Sequence, residues 1–442
     1  MPDVGLAMNL QWADGARQGR FARYVEGLAG SLRHKDRIEP FRRYCVGLLL
    51  PGERKSVEPM AARLSPERTA AEHQSLLHFV GQSPWNAEAL LEAVRAEVLP
   101  MMTRHEPVAS WIVDDTGFPK QGVHSVGVTR QYCGELGKQD NCQIAVSLSV
   151  ATSKASLPIA WRLYLPESWA HDPARRRTAK VPPDIVFQTK QQIALTQIRA
   201  AVDQGVPAGV VLADAGYGNT SSFRDQLADL GLTYVVGVQG NIVVWPPGTE
   251  PSVPSWSGRG RKPTRLRRAG DDAPAVQVRA LADMLPAERW QTVPWRDGVA
   301  ETLRSRFAAV RVRPAQGDGR RSEARPVHWL LIEWPEDAAK PSKFWLSNLP
   351  EDTALSDLVY HAKQRWLIER DYQELKQELG LGHFEGRGWP GFHHHAALCI
   401  AAYGFLVAER AAFSPSGTAR AGRIATASVP QSPPRRHASA PA

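Results

Sequence analysis

The chain of 442 residues, with 34 prolines and 35 glycines, is too long for one compact core and points to two or three packed units. Charged residues make up 22% of it and hydrophobic ones 43%, so most of the chain can bury a core and broad disorder is excluded. Lys and Arg outnumber Asp and Glu by 54 to 45, a net charge of +9, which favours a polyanionic partner, either nucleic acid or an anionic membrane surface.

Residues 1–105 read as a helical domain. Apolar side chains recur at three- and four-residue steps in Phe41–Leu50, Val57–Leu64, Glu72–Val80 and Trp85–Val98, punctuated by Pro51-Gly52, Ser65-Pro66 and Ser83-Pro84, with Ser83 or Asn86 as a cap. The scattered cations, among them Arg33, Lys35, Arg37, Arg42 and Arg43, fit a solvated bundle face as well as a DNA-binding headpiece. Val108–Val113 is then a buried strand feeding a turn at Asp114-Asp115-Thr116-Gly117. His124–Tyr132 and Gln143–Ala151 are further strands, the second alternating cleanly, and Pro158–Tyr164 extends the sheet. A helix over 184–203, a strand Gly209–Ala213 ending at Asp214-Ala215-Gly216-Tyr217, a helix Ser221–Leu230 and a strand Thr233–Val238 follow. The sum is an α/β fold: a mixed sheet covered by helices, spanning 106–239 and 349–412.

Residues 240–348 break that rhythm with a Pro/Gly/Ser-rich stretch and β-like runs at Phe307–Val312 and Pro326–Trp334, read as an inserted β-rich subdomain. Within it Arg259, Arg261, Lys262, Arg265, Arg267 and Arg268 crowd together, as a solvated loop or as a phosphate contact. A long helix is expected from Leu355 to Leu379 and a closing helix from His393 to Arg410, while the Ser/Ala/Pro/Arg-rich tail over 413–442 is expected to be disordered. The apolar stretch Ala396–Ala408 falls short of the roughly 18–20 residues that span a bilayer, and the N-terminus shows no signal pattern. A cytoplasmic protein with no membrane partner is expected. Cys45, Cys133, Cys142 and Cys399 form neither a disulfide framework nor zinc-ligand spacing, which leaves free thiols.

Chemistry concentrates in carboxylates. Asp115 and Asp214 each follow a buried strand, where side chains project into the crevice at the sheet edge. Asp114, beside Asp115, points to the opposite face of the strand. On the late helix, at about 100° per residue, Arg365, Glu369 and Lys376 share a polar stripe bordering the apolar face of Ile368, Tyr372, Leu375 and Leu379, whereas Glu374 and Glu378 turn toward solvent. That stripe also fits a plain i,i+4 ion pair between Arg365 and Glu369. Three converging carboxylates repel one another unless a hard divalent cation such as Mg²⁺ neutralises them, and two such ions can serve a phosphoryl displacement. The run His393-His394-His395 cannot turn all three rings to one ion, so it reads as packing or phosphate contact.

The order Asp115, Asp214, Glu369 resembles the DDE transposases of bacterial insertion sequences, and Arg365-x3-Glu369-x6-Lys376 is similar to the Y-x2-R-x3-E-x6-K signature of one large group of them. The strings DDTGFPKQGVHSVGVTRQYCGELGKQDNCQ and QELKQELGLGHFEGRGWPGFHHH look like hallmark sequences of one subgroup, and the resemblance covers about residues 20–410. It implies a ribonuclease H-like catalytic domain with a β-strand insertion before the catalytic Glu. It also implies two Mg²⁺ ions (Mn²⁺ substituting) on Asp115, Asp214 and Glu369, and metal-dependent cleavage and transfer of DNA strands at the element's ends. Asp115 is preferred over Asp114 because Thr116 follows it as in the family motif. Arg365 and Lys376 would contact phosphates near the element's end, with Lys120 and His124 as further candidates. The partners implied are double-stranded DNA (terminal inverted repeats and target) and a second copy of the chain in the DNA complex. Where the family has its Tyr this chain has Ala362, with Tyr360 the nearest aromatic. The alternative is a decayed, catalytically inactive DNA-binding relative; a two-carboxylate hydrolase of neutral substrates fits the basic charge poorly.

Overall fold

The structure, a computed structural model, describes residues 15–267, 274–297, 302–318 and 321–413; Arg268 and the tail from Ser414 lie outside them. Among the described residues the α-helices α1 (Gly15–Ala29), α2 (Ile38–Leu49), α3 (Val57–Leu64), α4 (Thr69–Gly81) and α5 (Ala87–Met102) come first. Asn86 caps α5 by accepting from the amides of Glu88 and Ala89, satisfying donors that a helix start leaves free.

The strands of the central sheet are β1 (Ser110–Pro119), β2 (Thr129–Cys133), β3 (Lys138–Ala151), β4 (Ser156–Leu163), β5 (Val210–Ala213) and β6 (Tyr234–Val238). Between β4 and β5 run the short α6 (Glu167–Ala170) and α7 (Pro173–Thr178), then α8 (Lys190–Asp203) with a Thr189/Gln192 capping box. A single turn, α9 (Ala215–Gly218), and α10 (Ser221–Asp229) join β5 to β6. β3 lies antiparallel to β1, while β5 and β6 run parallel to it. This mixed sheet flanked by helices is the ribonuclease H-like arrangement expected from the sequence.

The insertion supplies β7 (Val243–Trp245), β8 (Val276–Gln277), α11 (Val278–Asp283), β9 (Gln291–Asp297), β10 (Thr302–Pro314), β11 (His328–Trp334) and β12 (Lys343–Ser347). Its strands do not form a detached sheet. β12 pairs antiparallel with β6, and the order β2-β3-β1-β5-β6-β12-β11-β10-β7-β8 runs unbroken, with β4 on β3 and β9 on β10. One face of the added strands carries its own small core, Val310, Val312, Leu330 and Ile332 against Val278 and Leu281 of α11.

The chain ends in α12 (Leu355–Lys363), α13 (Trp366–Gln373), a π-helical turn over Glu374–Glu378, and α14 (Trp389–Phe413). α14 is apolar nearly all round and long enough to cross a membrane by composition, yet 72% of its most apolar window is buried inside the fold. It is the central core helix: Tyr44 and Trp85 from the N-terminal helices pack on its His395 and His394, and Arg17 and Arg20 of α1 pair with Glu409. The N-terminal helices therefore share one core with the sheet.

Two expectations need correction. β1 does not stop before the aspartates but runs through both, because the long antiparallel β3 pairs with it as far as Pro119–Cys142. The parallel partner β5 pairs with it only as far as Ile112–Leu212, so the crevice opens beside the middle of β1. The helix expected from Leu355 to Leu379 is also not continuous. At Gln364–Arg365 it tightens into i→i−3 bonds, from Leu367 N to Gln364 O (3.1 Å) and from Ile368 N to Arg365 O (3.2 Å), and past Glu374 it loosens into the π turn.

Candidate active site

The β1–β5 register places the carboxylates. Ile112 stands opposite Leu212 in the last pair of that register, two residues before Asp114 and Asp214; Asp114 leaves β1 on one face, where the Asp214 charge acts on its carboxyl. Asp115 leaves on the other. Asp214 starts α9 in an extended conformation and accepts from the Gly216 amide at 2.8 Å. Its turn is pressed on β6, since a Cβ on Gly218 would collide with the Gly237 carbonyl.

On the Asp114 face the helical joint supplies Arg365, whose guanidinium lies 3.2 Å from Asp114 Oδ1, the two side chains being 24% and 15% exposed. The Asp114 carboxyl is raised to about 7, chiefly by burial, with Arg365 pulling it down and the charges of Asp115 and Asp214 adding to the rise. Burial works against the Arg365 charge, but Asp114, Asp214 and Glu369 together hold it above its usual range. One cation thus sits in the field of three carboxylates, two from the sheet and one from α13. Glu369 itself is exposed on α13. Beneath the trio, the buried Tyr372 shares a 2.7 Å hydrogen bond with Ser147. Asp371, beside it, accepts from Ser156 (2.6 Å) and Tyr403 (2.7 Å), pinning α13 to β4 and α14.

A cleft of about 470 Å³ opens beside Asp214 and Arg365 toward the insertion, with Arg279 and Lys343 on its wall and the backbone of Gly237 and Gly240 on its floor. Asp115 looks instead into a separate cleft of about 390 Å³. There Lys190 Nζ is 3.1 Å from both of its oxygens and the Tyr217 hydroxyl donates to it at 3.3 Å.

Arg365 thus lies in the field of Asp114, Asp214 and Glu369, whereas Asp115 faces Lys190. Strand parity was the available signal. Lys376 lies beside the end of β1, where its ammonium donates to the Gly117 carbonyl (2.8 Å) and pairs with Glu135 (2.5 Å). Lys120 donates to the Phe384 carbonyl at 3.0 Å, and His124 is exposed on the loop after β1. The three consecutive histidines are packing residues: His394 stacks on Trp85, and His395 bonds the Tyr44 hydroxyl.

Among the described residues no three His, Cys, Asp or Glu side chains are already gathered as a metal cluster. The donor chemistry nonetheless suits a hard divalent cation, being all carboxylate oxygen. The Asp114 carboxyl is also under-neutralised, since burial outweighs the pull of Arg365.

A sequence profile described as DDE superfamily endonuclease matches residues 27–302, which include Asp114, Asp115 and Asp214 and stop short of Glu369. A probable transposase for insertion sequence element IS701 from Microchaete diplosiphon is 29% identical over 358 residues, covering 80% of this chain and 78% of that protein.

Proposed function

We infer the activity of this chain from one premise: it belongs to the DDE superfamily endonucleases. It acts as a DNA transposase, cutting phosphodiester bonds at the ends of an insertion sequence and joining the freed 3′-hydroxyls to target DNA. The likeness to the IS701 protein over most of both chains supports that assignment. The carboxylates we assign are Asp114, Asp214 and Glu369, in place of a trio built on Asp115. The observation that carries the choice is the Arg365 guanidinium, paired with Asp114 and held in the field of Asp214 and Glu369.

These three side chains would hold two Mg²⁺ ions, or Mn²⁺ in their stead, which when bound activate the attacking oxygen and stabilise the leaving one. The chain's own part is positional and electrostatic. In this reading β1 supplies Asp114, the end of β5 supplies Asp214 and α13 supplies Glu369. Arg365, which pairs with Asp114 in the DNA-free protein, is placed to exchange that carboxylate for a phosphate oxygen. Arg279 and Lys343 line the cleft that a DNA strand entering beside Asp214 would follow. The protein works on the nucleoid in the cytoplasm, and a second copy joins it in the DNA complex.

The test is cleavage of DNA carrying the element's ends, with Mg²⁺ or with EDTA, by wild type, Asp114→Asn and Asp214→Ala. Nicking by wild type in Mg²⁺ alone, lost in both variants, is expected. A wild type that binds the ends and never nicks them would mark an inactive relative, and full activity in Asp114→Asn would return the role to Asp115.

A further inference from the structure

The joint that carries Arg365 and Glu369 is gripped on both sides by the insertion. Lys363, the last residue of α12, runs its ammonium into a box of rings on the inserted strands. It lies 4.5 Å from the centroid of Trp295, 5.5 Å from that of Phe307 and 5.7 Å from that of Trp345. At the end of the box it meets both oxygens of Glu333, at 2.6 and 2.7 Å. The Glu333 side chain is only 2% exposed and that of Lys363 only 11%. Three residues on, Trp366 opens α13 with its ring under the guanidinium of Arg296 from β9, 4.7 Å away. Gln364 and Arg365, between the two anchors, form the tightened turn, and Gln364 Oε1 and Arg365 Nε have no hydrogen-bond partner among the described residues.

A buried ion pair is a poor way to gain stability, because desolvating two charges offsets most of their attraction, and apolar replacements of similar volume are often neutral or better. What such a pair does provide is a fixed geometry, since the carboxylate and the ring faces accept the ammonium in one place only. Without that anchor nothing in the local sequence opposes an ordinary helix through residues 364–365, as its unbroken apolar periodicity shows. A regular turn there would rotate Glu369 relative to the sheet aspartates by tens of degrees, since a 3₁₀ step turns about 120° against about 100° for an α step.

We propose that Lys363 and Glu333, seated in the Trp295/Phe307/Trp345 box, are positioning residues for catalysis. Through them the β-rich insertion sets the phase of α13 and so aims Glu369 and Arg365 at Asp114 and Asp214. This rests on the assignment of Glu369 as the third carboxylate. The insertion is then a part of the catalytic apparatus that acts without touching the reacting atoms.

The test uses the full-length chain and end-bearing DNA. Breaking the pair singly would strand a buried charge, so the informative variant is the double replacement Lys363→Met with Glu333→Met. Lys363→Arg serves as the charge-conserving control, and Arg296→Ala loosens the other anchor without burying a charge. The double variant is expected to unfold no more easily than wild type and to bind end DNA normally. Its nicking should be about a hundredfold slower, the size of effect a misplacement of about 1 Å produces. It should also need several-fold more Mg²⁺ for half-maximal rate, which a purely structural pair would not alter. Arg296→Ala should move the same two quantities in the same direction by less, and Lys363→Arg should recover part of the rate. If wild type nicks and the stable double variant nicks with the same rate and Mg²⁺ demand, the inference is overturned. If the double variant does not fold, unchanged rate and Mg²⁺ demand in Arg296→Ala overturn it instead. A wild type that fails to nick refutes the transposase reading, a result distinct from either.

Discussion

Asp114→Asn separates the two aspartates and tests the charge balance of the site together. In the folded protein the Asp114 carboxyl is pushed from an ordinary 3.8 up to about 7, chiefly by burial. An acid with a raised folded pKa binds more protons in the native state than in the unfolded chain between those values, so it makes stability fall as pH rises through that window. The shift corresponds to about 4 kcal/mol, as an order of magnitude, lost between about pH 4 and pH 7 and fully absent from an asparagine variant. Some of that gain is returned, because Arg365 loses its 3.2 Å partner while keeping Asp214 and Glu369 nearby. Urea unfolding in EDTA from pH 4 to pH 8 should therefore show a steeper decline for wild type than for Asp114→Asn, with the variant the more stable at pH 8 by a few kcal/mol at most. Adding Mg²⁺ at pH 7.5 should stabilise wild type and leave the variant nearly unmoved, since a cation binding only the folded state raises its stability. Identical pH slopes together with equal Mg²⁺ responses would refute the claim that Asp114 is the under-neutralised charge of the site.

Other substitutions follow from the same geometry. Asp115→Asn should cost about 1 kcal/mol of stability, because its pair with Lys190 is a little over a quarter exposed on each side, and it should slow nicking without abolishing it; abolition there with survival in Asp114→Asn would show the strand-parity argument to be wrong. His393 and His395 are pushed down from 6.5 to about 4 by burial, so the folded state resists protons that the unfolded chain accepts, and stability should fall as pH drops from about 6.5 toward 4. His395→Gln should flatten that acid limb in melting curves at pH 7 and pH 4.5, at the expense of the Tyr44 bond. In the cleft beside Asp214, Arg279→Ala should lower the slope of log affinity for DNA against log salt by about one counterion. Lys120→Met should leave that slope unchanged, its ammonium being bound to the Phe384 carbonyl.

The sequence carried the elements further than it carried their ends. Alternation in β3 and the apolar runs around β1, β5 and β6 were enough for a mixed sheet with helices on it, and the turn at Asp214 was located to within a residue. What single-strand reasoning lacked was the partner. Whether β1 stops before Asp114 or runs through it depends on how far β3 pairs, and which aspartate faces Asp214 depends on the β1–β5 register. Both are properties of a pair of strands, so the choice of Asp115 rested on its neighbour Thr116, whereas the ion pair with Arg365 falls on Asp114. The helical wheel assumed one continuous α-helix, which holds for Arg365 and Glu369 within one turn but not for Lys376, which lies beyond the start of the π turn and reaches the Gly117 carbonyl at the end of β1.

The same distinction explains why no link between the inserted strands and Glu369 was legible in the sequence. Its strands are separated in sequence from every acidic site residue, and nothing in their composition points toward Glu369. Yet β12 closes on β6, and β11 places Glu333 where α12 ends. A site assembled from a sheet and a helix needs a rule for the angle between them, and the helix that bears Glu369 carries no acid or base that reaches the sheet aspartates except Arg365, which meets Asp114. If Arg365 is to leave Asp114 for a phosphate during the reaction, it cannot also be the part that fixes the angle. The fixing contacts have to lie off the reaction path: Asp371, bound by Ser156 and Tyr403, holds the body of α13, and Lys363 in its box of rings holds the joint before it.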